Sequence, residues 1–271
     1  MAKAIKHIKA GLLHIEVIGQ VPERDGRKPR AARSRPTSPA QTFYNHKCSW
    51  RELELKLAAN FGKSDFFLTL TYDDAHLPKN KAAAIKDIQK FFRKLRASRK
   101  KRGEELRYIY CTEGNHGAQK DEYLGADREL EDKRLHHHVV LNGYGEESME
   151  EIRSLWHGGG YVNIEAVNIH YYRELAKYMT KEAREFGSPK PGERSWRGSR
   201  NLHNYEVEYV EIPVDNVTLT APPGAQDYVP FSEKNPYGFS DSVGARYLLP
   251  EDEEPEPQES YARPRKRKRR P

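Results

Sequence analysis

The segment RLHHHVVLNG, residues 134–143, carries three consecutive histidines into a short apolar run that stops at a glycine. Its valines and leucine favour a strand, and the Asn-Gly pair is a turn signal that would end that strand. Because side chains on a strand alternate between its two faces, His136 and His138 point one way and His137 points the other. Two imidazoles on one face can hold a divalent ion. The segment therefore predicts a strand that carries part of a metal site.

The composition indicates one region with a concentrated hydrophobic core. Of the 271 residues, 36% are hydrophobic and 32% are charged, and the formal net charge is +7. A positive charge is typical of proteins that bind nucleic acid, although this signal is weak alone. Cys48 and Cys111 are too few for a disulfide framework or a zinc site of the CxxC type. No signal peptide or membrane span is indicated, so we expect a cytoplasmic protein without a membrane partner.

The ends of the chain differ in composition from its middle. Residues 1–40 are interpreted as a basic, flexible arm, and a plain linker explains them equally well. Residues 41–204 are expected to form the main domain. Residues 205–271 are expected to be a mostly irregular extension, apart from a short strand at 206–210, that ends in an acidic and then a basic run. Such a basic end could add sequence-independent affinity for DNA.

Hydrophobic periodicity predicts the elements of the main domain. A capping box at Ser49 is expected to start a helix that ends near Gly62. The elements expected after it are strand 66–72, a helix whose basic C-terminal end is solvated, strand 107–113, the histidine strand, helix 148–156, strand 161–165 and helix 169–186. This order predicts an α+β fold of the ferredoxin-like or RRM-like kind: an antiparallel sheet with helices on one face and an open second face.

Glu113 is the candidate third metal ligand. It closes the strand before the histidines, and it lies beside His136 and His138 if the two strands pair as a hairpin. Two imidazoles and a carboxylate suit Mn²⁺ or Mg²⁺ acting as a Lewis acid on a phosphate. They also resemble the ligands of catalytic zinc, so the identity of the metal stays open.

The last predicted helix offers a nucleophile. Tyr178 and Lys181 are three residues apart and share a helical face. A tyrosine phenol has an ordinary pKa near 10, so its attack on phosphorus needs a metal and a nearby ammonium. Tyrosines on a helix usually pack against a sheet, and this pair alone decides nothing.

Three short motifs together resemble a known family. TLT at 69–71, HHH at 136–138 and YMTK at 178–181 stand in the order of the three motifs of the His-hydrophobic-His rolling-circle endonucleases. The chain is similar to replication initiators of small single-stranded DNA phages and related bacterial mobile elements. The similarity runs from about residue 64 to residue 182, and its strength lies in the combination of the three motifs.

The resemblance implies a rolling-circle nickase that cuts and rejoins single-stranded or cruciform DNA through a 5′-phosphotyrosine intermediate. Its roles map onto a divalent metal, Mn²⁺ or Mg²⁺, held by Glu113, His136 and His138; a nucleophile, Tyr178; a phosphate-positioning residue, Lys181; and DNA contacts from Thr69, Thr71, Arg134 and Lys177. It also implies an origin hairpin as a partner and the cytoplasm of a bacterial host. The chain has no Walker A sequence, so a separate host or element helicase is expected.

Two positions depart from the family pattern. His137 stands where a hydrophobic residue is usual, and we interpret it as a core-edge histidine with a partner. Glu174 stands where related phage initiators often carry a second tyrosine. Tyr171 lies two turns before Tyr178, about 10 Å along a helix, too far to substitute without a shift. A single-tyrosine enzyme is therefore expected.

Two other functions fit parts of the sequence. A relaxase or single-tyrosine transposase would share the motifs, although relaxases usually place the tyrosine before the histidines. A non-catalytic RNA-recognition-type sheet would use Tyr108 and Tyr110 as stacking platforms. That second alternative leaves the histidines and Tyr178 without a joint explanation.

Overall fold

The computed structural model describes residues 3–20, 39–114, 133–181, 194–212, 217–233 and 242–249. The expectations for the Arg- and Pro-rich run of the arm, for most of the loop after Glu113 and for the charged C-terminal end lie outside these residues. None of the described helices is both long enough and apolar enough to cross a membrane. The chain divides into two compact units, residues 43–203 and residues 1–42 together with 204–271.

The described elements follow one another in chain order as fifteen segments. They are β1 (Lys3–Ala10), β2 (Leu13–Gln20), α1 (Pro39–Ala58), β3 (Phe66–Tyr72), α2 (Lys81–Lys101), β4 (Tyr108–Glu113), β5 (His136–Leu141), α3 (Glu146–Leu155), β6 (Gly159–Ala166), a 3-10 turn (Ile169–Tyr171), α4 (Tyr172–Met179), β7 (Arg197–Gly198), β8 (Glu206–Glu211), β9 (Gln226–Glu233) and β10 (Ser242–Leu248).

The unit of residues 43–203 is built on a five-stranded antiparallel sheet in the order β6-β3-β5-β4-β7. Its first four strands have the ferredoxin-like arrangement, in which the two strands that follow helices flank the central hairpin. The predicted α+β class is confirmed. The short edge strand β7 was not predicted, because two residues carry no periodic signal.

One face of this sheet holds the core. Along β3 the side chains alternate, with Phe66, Leu68, Leu70 and Tyr72 buried, as the sequence predicts. They pack against α2 and Trp156, and the α2 residues in this cluster are Ala84, Ile88, Phe91, Phe92 and Leu95. The register pairs Thr69 with His138 and Thr71 with His136, so these polar residues share the opposite face. That face is partly covered, since the ring of Tyr178 from α4 lies 6.3 Å from that of Phe67.

The start of α1 differs from the prediction. The helix begins at Pro39, ten residues before the expected cap, because proline is tolerated in a first helical turn and nothing after it breaks the helix. Ser49 therefore does not cap the helix. It lies in mid-helix, with its hydroxyl 3.1 Å from the hydroxyl of Ser195.

The basic end of α2 also differs from the expected solvated end, because Arg99 is fully buried. Its guanidinium donates to the carbonyl of Asn142 at 2.8 Å and to the hydroxyl of Ser148 at 2.8 Å. The ring of Tyr144 lies 5.0 Å from it. A guanidinium can be buried when such acceptors meet its fixed fork of donors. Arg99 thus ties α2 to the end of β5 and to α3.

The second unit is a five-stranded antiparallel sheet in the order β8-β1-β2-β10-β9. The prediction of a flexible arm is wrong for β1 and β2, and the prediction of an irregular extension is wrong for β9 and β10. The strand predicted near residue 206 is confirmed as β8. Neighbouring strands of this sheet come from opposite ends of the chain, as when Ile5 pairs with Val210. Local sequence patterns do not report such distant pairing.

Candidate metal and nucleophile site

The β4–β5 ladder brings the three candidate ligands together. Glu113, the last residue of β4, pairs directly with His136, the first residue of β5. His138 follows two positions later and therefore lies on the same face. One ligand atom from each of the three residues lies within 4.8 Å of the others. The hairpin expected from the sequence thus places the carboxylate beside both imidazoles.

The polar atoms at this point fit a bound cation. Oε2 of Glu113 lies 3.5 Å from Nε2 of His136 and 3.8 Å from Nε2 of His138. Both oxygens of Glu113 and Nε2 of His138 are buried without a hydrogen-bond partner in the described part of the chain. A buried polar atom without a partner costs about 1–3 kcal/mol, more when it is charged. Carboxylate oxygens and imidazole nitrogens that converge in this way suit a divalent metal.

The far nitrogen of each imidazole is already engaged. Nδ1 of His136 lies 3.0 Å from the carbonyl oxygen of Arg134, to which it must donate, so Nε2 keeps its lone pair. Nδ1 of His138 lies 3.2 Å from the hydroxyl of Thr69. Burial lowers the pKa of His138 to about 4, so this ring is neutral at pH 7, the form that binds metal. The orienting role of Thr69 was not predicted.

Two lysines approach the same carboxylate. Nζ of Lys181 lies 3.3 Å and Nζ of Lys133 lies 3.9 Å from Oε2 of Glu113. Burial by itself would lower the pKa of Lys181, but the charge of Glu113 and the contact with Tyr178 raise it overall. Burial by itself would raise the pKa of Glu113, but His136, His138 and Lys181 lower it overall. Lys181 is therefore an ammonium and Glu113 a carboxylate at neutral pH. Lys133 was missed, since a lysine before a strand carries no signal.

Helix α4 presents Tyr178 to the ligands. The buried side of the helix consists of Tyr172, Ala176 and Met179, and the hydroxyl of Tyr172 donates to the carbonyl of Phe61. Tyr178 lies on the other side, 41% exposed, with its ring centre 4.8 Å from that of His138. Nζ of Lys181 lies 3.7 Å from the Tyr178 ring centre. The structure thus brings the predicted nucleophile and ammonium to the predicted ligands.

The other tyrosine of this region lies elsewhere. Tyr171 belongs to the 3-10 turn before α4 and is 57% exposed. The predicted helix over 169–186 is therefore shorter at its start, and α4 ends at Met179. Residues 182–186 lie outside the described part of the chain.

The remaining predicted contact residues lie around the site. The hydroxyl of Thr71 donates to the carbonyl of Tyr161 at 3.1 Å. Arg134 donates to the carbonyl of Tyr72 at 3.0 Å and pairs with Asp74 at 2.7 Å. Nζ of Lys177 lies 5.3 Å from the centre of the Trp50 ring. DNA contacts by Thr69, Thr71, Arg134 and Lys177 stay predictions.

His137 lies in the core, which confirms the interpretation that it is structural. It is fully buried, with Nε2 at 2.7 Å from the hydroxyl of Tyr72 and Nδ1 at 2.9 Å from that of Thr112. One ring nitrogen accepts and the other donates, so both are satisfied by neutral groups. Burial lowers the pKa of His137 to about 3, which keeps the ring neutral.

The two tyrosines of the alternative, RNA-recognition-type interpretation are not displayed to a ligand. Tyr110 is 4% exposed and belongs to the core cluster. The ring of Tyr108 stacks on that of Phe92, with ring centres 3.7 Å apart. Neither ring forms the free platform on which a base would stack.

Comparison with known families supports the same region as the functional one. A family model described as replication-associated protein, of the ORF2 kind, matches residues 65–183, from just before β3 to just after Lys181. The chain is therefore similar to replication-associated proteins over the segment that holds every candidate ligand and the nucleophile. Comparisons with curated proteins and with solved structures give no significant match.

Proposed function

We propose that the protein is a rolling-circle replication initiation endonuclease, similar to the initiators of small single-stranded DNA phages and bacterial mobile elements. It nicks and rejoins single-stranded or cruciform DNA at a specific site. The observation that carries this proposal is the position of Tyr178, whose exposed ring lies 4.8 Å from the ring of the candidate ligand His138. The family match over residues 65–183 supports replication as the process.

The metal site serves to activate one phosphate. Glu113, His136 and His138 would hold Mn²⁺ or Mg²⁺, which when bound supplies Lewis acidity to the scissile phosphate. Thr69 and the Arg134 carbonyl fix the two imidazoles so that Nε2 of each faces the carboxylate. Such orienting contacts set the ligand tautomer and its direction.

The cleavage step transfers a phosphoryl group from DNA to Tyr178. The phenolic oxygen forms a bond to phosphorus, and the bond from phosphorus to the 3′ oxygen breaks with its electron pair leaving on that oxygen. The phenol loses one proton to solvent and the 3′ oxygen gains one, which leaves a 5′-phosphotyrosine and a 3′-hydroxyl. Reversal rejoins the strand, since the phosphodiester energy is kept.

Lys181 acts in this step as a fixed positive charge. Its raised pKa keeps it protonated, so it cannot take the phenolic proton as a base. Its ammonium, 3.7 Å from the Tyr178 ring centre, instead stabilises negative charge that develops on the phenolic and phosphoryl oxygens.

The proposed reaction sets the partners. The substrate is single-stranded DNA or an origin hairpin, and the freed 3′-hydroxyl primes synthesis. Unwinding requires a separate host or element helicase. The reaction takes place in the cytoplasm of a bacterial host.

The decisive experiment detects the covalent protein–DNA species. Hairpin oligonucleotides labelled at the 3′ end are incubated with the full chain and Mn²⁺, and the products are separated on a denaturing gel. The 3′ label should move with the protein and a 5′ label should not, since the link is to the 5′ phosphate. Tyr178→Phe should abolish the labelled protein band.

The matched control is Tyr171→Phe, which removes the same hydroxyl from an exposed tyrosine outside the ligand cluster. It should leave the labelled band unchanged. A Tyr178→Phe protein that still carries the 3′ label would overturn the assignment of the nucleophile.

A further inference from the structure

Helix α1 presents aromatic and basic side chains on one face. Phe43 is 70% exposed and Tyr44 is 40% exposed. Lys47 follows one turn later, and Trp50 and Arg51 follow one turn after that. Residues three, four and seven positions apart lie on the same side of a helix, so these five side chains form one stripe. The candidate endonuclease site uses none of them.

The stripe joins a second group of cations on α4. The centre of the Trp50 ring lies 5.6 Å from the guanidinium of Arg51, and 5.5 Å from that of Arg173. Nζ of Lys177 lies 5.3 Å from the same ring. We call Lys47, Trp50, Arg51, Arg173 and Lys177 the Trp50 cluster. Since Lys177 directly precedes Tyr178, the cluster adjoins the proposed nucleophile.

The Trp50 cluster holds like charges close together. Burial and then the charge of Arg173 lower the pKa of Arg51. Burial and then the charge of Arg51 lower the pKa of Lys47. Glu54 offsets part of this repulsion, since its charge raises the pKa of Arg51. A polyanion that spans the cluster would relieve the rest.

Arg173 offers a donor to such a ligand. Its Nε is buried without a hydrogen-bond partner among the residues that the structure describes. A guanidinium donor left in this way is costly, and a phosphate oxygen is the acceptor that its geometry fits best. The ring of Trp50 holds this guanidinium in place.

Alternating aromatic and cationic groups favour a single strand over a duplex. Exposed rings stack on unpaired bases, while lysine and arginine follow the phosphates. The bases of a duplex are already stacked on one another, so Phe43 and Tyr44 would have nothing to stack on. From Phe43 to Trp50 the stripe extends about 10 Å along the helix.

We propose that the α1 stripe and the Trp50 cluster bind single-stranded DNA that flanks the scissile phosphate. This inference rests on the proposed function for the position of the scissile phosphate, but the binding itself requires no cleavage. Bases stack on Phe43 and Tyr44, and phosphates contact Lys47, Arg51 and Arg173. Lys177 leads the strand to Tyr178.

The test measures binding apart from chemistry. Fluorescence anisotropy of a labelled 20-nucleotide oligo-dT is recorded with the full chain in EDTA at several salt concentrations. Phe43→Ala should weaken binding roughly tenfold, the order expected for one stacked base. Lys47→Ala should lower the salt slope by about 0.7, the value for one phosphate contact on a single strand. Thermal melting verifies that both exposed-site variants are folded.

Lys94→Ala is the matched control, since Lys94 is an exposed lysine on α2. It should leave the affinity and the salt slope unchanged. The proposal is overturned if Phe43→Ala and Lys47→Ala bind like the unchanged protein, or if Lys94→Ala weakens binding as much as Lys47→Ala. Equal sensitivity of duplex binding to Phe43→Ala would also overturn it.

The adduct assay separates the two proposals. A protein that forms the Tyr178 adduct but whose oligo-dT binding ignores both variants retains the proposed function and loses this surface. A protein that forms no adduct but shows the predicted losses of binding retains the surface as a single-strand site and loses the proposed function.

Discussion

Strand β5 delivers neighbouring histidines to two different regions of the molecule. His137 enters the core, where Tyr72 and Thr112 satisfy both of its ring nitrogens. His138 enters the opposite face, where Thr69 engages one ring nitrogen and the other is left facing Glu113. The difference shows that strand alternation assigns the role, and that the hydrogen bonds left unmade reveal which histidine serves a ligand.

Burial and pKa alone would not separate these two residues. His137 is 0% exposed and His138 is 2% exposed. Burial lowers the pKa of the first to about 3 and that of the second to about 4. What differs is the chemistry of the neighbours, two hydroxyls in one region and a carboxylate with lysines in the other.

The largest predicted effect is the loss of a ligand from the carboxylate side. His138→Gln should reduce Mn²⁺-dependent cleavage by roughly 10³-fold, because several kcal/mol of charge stabilisation at the phosphate is lost with the metal. Single-turnover cleavage measures the rate, and titration calorimetry with Mn²⁺ measures the affinity. The free energy of unfolding in EDTA should fall little, since Nε2 of His138 has no hydrogen-bond partner among the described residues. Unchanged Mn²⁺ affinity would remove His138 from the ligand set.

The next effect is the reverse one, on the core side. His137→Leu should lower the free energy of unfolding by about 1–3 kcal/mol, because the buried hydroxyls of Tyr72 and Thr112 each lose a partner. Urea denaturation in EDTA measures this loss. Mn²⁺ affinity should stay within a few-fold of that of the unchanged protein, and a complete loss of binding by a folded variant would contradict the comparison.

The same variant should also change the response to acid. The pKa of His137 is about 3 in the folded protein against an ordinary value of 6.5. As pH falls below 6.5 the unfolded chain takes up a proton that the folded ring refuses, so stability falls. Between pH 7 and pH 5.5 this amounts to on the order of 1 kcal/mol, which His137→Leu should remove from the slope of stability against pH.

The smallest predicted effect concerns the contact that orients His138. Thr69→Val keeps the shape but removes the hydroxyl at 3.2 Å from Nδ1, so Mn²⁺ affinity should fall about 10–100-fold. Thr71→Val is the matched control, since its hydroxyl donates to a backbone carbonyl and not to a ligand. Equal losses of Mn²⁺ affinity from both variants would contradict an orienting role for Thr69.

Much of the site could be predicted because its geometry is local. Alternation along one strand separates the histidines, and hairpin pairing of β4 with β5 brings Glu113 to them. The contacts of Thr69 and Lys133 could not be predicted in this way, because they depend on side-chain directions across strands and on a long connection. The Trp50 cluster escaped the sequence for a similar reason: it forms only when α1 and α4 meet.

The fold was predictable where the period of the hydrophobic residues matches one element. Strand β3 and helix α2 show clear periods of two and of three to four residues. The strands β1, β2, β9 and β10 were missed, because their partners lie far away in the sequence and their polar residues hide the alternation. Arg99 was misjudged for a different reason, since a run of basic residues does not indicate which member meets buried acceptors.

The direct pairing of Glu113 with His136 has a consequence for how this protein can change. The base of the hairpin is closed tightly: Gly114 has φ of +106°, and a Cβ there would come within 2.7 Å of the carbonyl oxygen of Arg134. The ladder therefore sets the ligand geometry without reference to the length of the segment between Gly114 and Lys133. That segment is a natural position for insertion, deletion or exchange, where new sequence recognition can be grafted while the metal ligands keep their register.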